Sequence, residues 1–154
     1  MIKALSDLFA EARTPSLDWE GKPAFAIYEM PAPQRIMVEL LRSKISPVQG
    51  LSLKAYGGVL QIDEAVSPHM LVWADTAPEQ VTVSFKPWEG QKAKLKIWNV
   101  WRGKVGGVEV TQAWLGNAGM RVERSNSELF LRCSDGEGPV DFADLEARMV
   151  VMTE

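Results

Sequence analysis

"VTVSFK", residues 81 to 86, sets Val81, Val83 and Phe85 on one side of an extended chain and Thr82, Ser84 and Lys86 on the other. A period of two is the signature of a strand with one face buried and one wet. The pattern recurs from Gly50 onward, in "LSLKAY", "GVLQID", "HMLVWA", "QKAKLKIWNVWRG", "GMRVE", "ELFLRC" and "DLEARMVVM". In the last of these Leu145, Ala147, Met149 and Val151 share a face, and Glu146 and Arg148 take the other. Gly57-Gly58 and Arg124 to Ser127 read as hairpin connections, and Gly103 to Gly107 as a glycine-rich turn. About seven or eight short strands with turn chemistry between them predict a mainly β chain, an antiparallel β-sandwich of jelly-roll-like form. The strands do not alternate regularly with helices, which disfavours a parallel α/β sheet.

The N-terminal third reads differently. Ile2, Leu5, Leu8, Phe9 and Ala12 fall at helical spacing, predicting an amphipathic helix over residues 2–12 that Thr14-Pro15-Ser16 stops. Its apolar face is expected to pack on the protein's own core. Residues 16–32 are rich in proline and glycine, with a short strand candidate in "AFAIY". "QRIMVELLRSKI", residues 34–45, fits both periods, and its helix-favouring composition predicts a second helix there. The expected organisation is one β-sandwich domain over 1–154, with the N-terminal helix inside 1–15 and the main strands in 50–154.

A chain of 154 residues fills one core and is short for two. The formal charge of −3 carries no basic footprint for nucleic acid. Cys133 is the single cysteine, so no disulfide framework within the chain is available. The opening "MIKALSDLFAEA" is broken by charges, and no apolar run approaches the ~18 residues of a membrane span. The expectation is a cytoplasmic protein bound neither to membrane nor to nucleic acid.

The strongest functional signal is the stripe in "QKAKLKIWNVWRG". Extended, it puts Lys92, Lys94, Lys96, Trp98, Val100 and Arg102 on one face, and Ala93, Leu95, Ile97, Asn99 and Trp101 on the core side. A straight strand of this length would run ~33 Å in a domain of ~15 Å radius of gyration. A bulge is therefore expected at the polar Asn99, bringing Trp98 and Trp101 toward one face. An indole face packs on a sugar ring, and neighbouring lysines attract anions. Lysines on a solvated strand also serve solubility alone.

Six tryptophans exceed what a core of this size encloses, since each has ~250 Å² to cover and an N–H to satisfy. Trp88, in "KPWEGQ", is expected on a loop, and Trp114, before "LGNAGM", at a loop mouth. With Trp98, Lys94 and Lys96 they form the candidate ligand-binding set.

"WLGNAGMRV" lacks the strand-to-helix context of a phosphate-binding loop and reads as a tight turn. "CSDGEGPVDFADL" gathers Asp135, Glu137, Asp141 and Asp144, a candidate calcium set weighed against a plain solvated turn. No other cofactor is called for. His69 is the only histidine, and alternation places Cys133 on an apolar face, so nucleophilic and zinc chemistry have little to draw on. No catalytic residue is assigned. The leading expectation is a non-catalytic binding domain for a carbohydrate or other polar, anionic small molecule. The alternatives are a structural or interaction subunit that self-associates, and a small carboxylate-dependent hydrolase or isomerase.

Overall fold

A computed structural model describes residues 3–152. One short helix, α1 (Leu5–Ala12), precedes fourteen strands. These are β1 (Ser16–Trp19), β2 (Lys22–Phe25), β3 (Tyr28–Pro31), β4 (Arg35–Ser43), β5 (Gln49–Tyr56), β6 (Gly58–Ile62) and β7 (Ala65–Ser67). They continue with β8 (His69–Trp73), β9 (Val81–Pro87), β10 (Lys94–Val105), β11 (Val108–Gln112), β12 (Gly119–Ser125), β13 (Glu128–Ser134) and β14 (Leu145–Met152). All neighbours are antiparallel.

The large sheet runs β1-β2-β12-β13-β14-β4-β9-β6-β7. The small sheet runs β11-β10-β5-β8, with β3 lying against the first half of β10. The inward residues of the two faces make the core: Ile36, Val83, Leu131 and Met149 from one, Leu51, Leu53, Leu95 and Ile97 from the other. Each such side chain contributes ~1.5–3 kcal/mol by leaving water, which makes the period of two decisive for the fold.

Three local expectations change. Residues 35–43 form strand β4, not a second helix, with β14 on one edge and β9 on the other. The helix-favouring residues Glu39, Leu40 and Leu41 yield there because Ile36 and Val38 are almost wholly buried, and sheet pairing outweighs intrinsic propensity. Gly57 is not a hairpin turn. It carries the chain from β5 in the small sheet to β6 in the large one, so consecutive strands face each other across the core. Nor is β10 bulged at Asn99: it pairs with β5 in unbroken register from Lys94 to Trp101. Trp98 and Trp101 therefore point to opposite faces.

Other connections form as their residues predict. Gly106 and Gly107, at φ 59° and 80°, close the β10–β11 hairpin with the twist that joined strands need. Asn126, at φ 55°, turns β12 into β13.

Helix α1 is shorter than its apolar pattern, and Ile2 lies outside the described residues. Leu5 and Phe9 are buried in a small second cluster with Ala24, lined by Leu8, Leu17 and Trp19. Ala4 supplies no side-chain cap. Loop 113–118 caps the helix instead: Ser6 N–H donates to Gly116 O at 2.9 Å and Leu5 N–H to Asn117 Oδ1 at 3.3 Å. No helix among the described residues is long and apolar enough to cross a membrane.

A polar link from the middle of β10 spans the sandwich. Asn99 points into the core, and its Nδ2 donates to Ser134 O on β13 at 2.8 Å.

Candidate functional site

The alternation of β10 sends Lys94, Lys96 and Trp98 to the outer face of the small sheet. Trp98 is nevertheless only 7% exposed. Loop 113–118 covers it: Trp114 lies over Trp98 with ring centroids 5.0 Å apart, and His69 of β8 lies against it at 5.4 Å. Trp114 holds a left-handed backbone at φ 58°, and its indole N–H donates to Ala26 O at 3.0 Å. The indole edge is thus pinned, while the residue remains 45% exposed.

That ring forms one wall of a cleft of about 570 Å³ between α1 and the small sheet. Phe9, Ile27 and Trp114 give it an apolar lining, and Arg13, Glu29 and Lys96 stand among its polar groups. Arg13, at the C-cap of α1, has φ 53°. Lys94 Nζ lies 3.1 Å from Glu29 Oε1, and Lys96 Nζ lies 3.7 Å from Glu29 Oε2 and 4.6 Å from the Tyr56 ring centre. The Lys94 hydrogen bond, supported by Lys96, holds the Glu29 carboxyl below its ordinary range. The volume falls within the ~300–1,000 Å³ typical of small-molecule sites.

Of the five residues proposed from sequence, the structure brings Lys94, Lys96, Trp98 and Trp114 to one region. Lys96 and Trp114 line the cleft, Lys94 holds Glu29, and Trp98 is the support beneath Trp114. Trp88 is 55% exposed on the β9–β10 loop and does not line this cleft. Phe9, Arg13, Ile27 and Glu29 escaped the sequence reading because helix, linker and β3 meet only in the fold. The one local signal was "AFAIY", whose Ile27 is not fully covered.

The acidic loop has a different fate. Asp135 is fully buried, with Lys44 Nζ 2.7 Å from its Oδ2 and Gln49 Nε2 donating to the same oxygen at 2.8 Å. Asp144 Oδ2 accepts the Asp135 N–H at 2.8 Å, and its Oδ1 lies 3.5 Å from Lys44 Nζ. Asp141 Oδ1 accepts the Ala143 N–H, and Glu137 is exposed. Among the described residues no three of His, Cys, Asp or Glu converge in a way that holds a metal ion. Of the carboxylates proposed for calcium, Asp135, Asp141 and Asp144 thus spend their oxygens on loop N–H groups or on Lys44, and two of them share that lysine. Burial works against the Lys44 ammonium, but Asp135 and then Asp144 more than offset it, so its pKa lies above the usual value. Burial, with the Asp135 charge adding to it, raises Asp144 above the ordinary carboxylate range.

Two nucleophile candidates are closed off. Ser52 Oγ is hydrogen-bonded to His69 Nε2, yet Ser52 is fully buried directly across the ladder from Trp98. That contact orients the His69 ring rather than presenting a hydroxyl to substrate. Cys133 is fully buried between the sheets, and burial pushes its thiol far above the usual pKa.

Comparison of the chain with known protein families, characterised proteins and solved structures finds no significant match.

Proposed function

We propose that this chain is a non-catalytic binding domain, and that the cleft between α1 and the small sheet takes a small ligand with one flat apolar face and a polar, acidic edge. An acidic sugar has this chemistry. The observation that carries the reading is Trp114: a pinned, half-exposed indole laid on a second, buried indole. A ring held in place from behind loses little freedom when a ligand stacks on its front. Arg13 and Lys96 favour an anionic group at the edge, and Glu29 and Thr14 offer acceptors to hydroxyls. A lone, buried cysteine suits work in a reducing cytoplasm.

The test is tryptophan fluorescence titrated with neutral sugars, uronic-acid oligosaccharides and sulfated polysaccharide. The expected result is a saturable change with the acidic sugars that weakens about tenfold in Trp114→Ala, the worth of one aromatic stack. Silence across the panel, or an unchanged response in that variant, would discard the proposal.

A further inference from the structure

The β10–β11 hairpin leaves an open edge of quite different chemistry. β11 is the terminal strand of the small sheet, and Val108 to Thr111 along it are exposed. Strands β1 and β7, which end the large sheet, are four and three residues long. Short edges of that kind resist pairing; β11, like β8 at the other end of the small sheet, offers five residues with no proline, but β11 is the more exposed of the two. On the inward-facing side of the hairpin Val105 of β10 and Val108 and Val110 of β11 are 57%, 62% and 37% exposed.

The geometry points to a second copy of this chain as the occupant of that edge, joined β11 to β11 about a two-fold axis through Val110. The register within one copy sets Arg102 against Thr111, Gly103 against Val110 and Lys104 against Glu109. Antiparallel pairing on that axis places Glu109 against Thr111 of the second copy and Val108 against its Gln112. Each row on the charged face then reads Arg102, Thr111, and Glu109 and Lys104 of the other copy. No like charges sit side by side, and each Glu109 lies between a lysine and a threonine. On the opposite face the Val110 side chains of the two copies meet, and Val105 and Val108 of each line up with Gln112 of the other. The edge is self-complementary in charge, in apolarity and in its backbone donors and acceptors, as an isologous contact requires.

A stable contact buries ~1,200–2,000 Å², more than a strand pair supplies. The cleft beside the hairpin, of about 600 Å³, adds Ile45 and Leu115 as neighbouring apolar surface. These residues are 90% and 52% exposed.

Sedimentation velocity over a wide concentration range tests the inference on the full chain. The expected result is a reversible dimer that Val110→Lys converts to monomer with its far-ultraviolet spectrum unchanged. Val110→Cys should cross-link to a disulfide dimer under mild oxidation, with Cys133 too buried to compete. A monomer at every concentration, or a dimer that survives Val110→Lys and does not cross-link through Val110→Cys, would overturn it.

Discussion

Around Trp98, on the outside of β10, the aromatic rings are stacked in series and the last of them stays open to solvent. At the far end of β10, beside Trp101, the polar groups close on one another instead. The Trp101 indole donates to Gln112 Oε1 at 3.0 Å, and Lys44, Gln49, Asp135 and Asp144 form a buried knot nearby. A carboxylate taken from water must find a cation and hydrogen bonds, so a buried acidic cluster is already spoken for. An indole needs only its N–H satisfied, and its face stays free for a visitor. In this molecule the acidic loop is therefore closed on itself, whereas the aromatic loop leaves an indole face open to solvent.

Breaking the knot should cost most. Lys44→Met leaves Asp135 and Asp144 without their cation, and urea melts are expected to show a loss of ~2–3 kcal/mol. A fully enclosed pair would cost ~3–5 kcal/mol; Lys44 is 32% exposed, and water screens part of the loss. The linkage of Lys44 to pH runs one way. Its raised folded pKa gives stability that is complete below the unfolded value and lost as pH rises through the folded one. Lys44→Met should therefore lack that part of the alkaline loss.

Gly103→Ala tests the same end more gently. Its new Cβ would lie 1.8 Å from Gln112 Oε1, so the amide must swing away from the Trp101 indole. The expected cost is ~1–2 kcal/mol, that of a buried N–H left unpaired. Trp114→Ala should cost a comparable ~1–2 kcal/mol in a thermal melt, since it removes the indole pair over Trp98 and the hydrogen bond to Ala26 O.

The smallest effect sharpens the contrast in pH. Burial first, and then the Lys54 charge, lower the His69 pKa. The unfolded chain then takes up the proton more readily, so stability falls as pH drops below the unfolded value. Comparing His69→Gln with the parent chain between pH 7 and 5 should show this acid loss only in the parent. The aromatic region should thus weaken in acid and the ionic region in alkali.

How much of this was legible in the sequence depends on the range of the forces involved. Strands β9, β13 and β14 could be read because alternation is written in consecutive residues, and "VTVSFK" has no competing period. Strand β4 could not: Glu39, Leu40 and Leu41 favour a helix locally, and only the distant β14 and β9 decide otherwise. The crossing at Gly57 was missed because a glycine pair looks alike whether the chain turns back within a sheet or passes to the next. The role of Asp135 was hidden for a similar reason, since its counter-ion comes from Lys44, far away in the sequence and brought beside it only by the pairing of β13, β14 and β4. Trp114 and Lys96 were visible as residue types, but the apolar lining beneath them, Phe9 and Ile27, is assembled only by tertiary contact.

The amide of Asn99, alone among the inward groups of β10 in reaching the opposite sheet through a hydrogen bond, has a mechanical consequence. Oily surfaces resist separation but glide over one another at little cost, whereas a donor aimed at a particular carbonyl tolerates only a fraction of an ångström. It acts as a dowel between two boards. The way the leaves cross is held in part by this peg, with the Gln49–Asp135 bond beside it as a second.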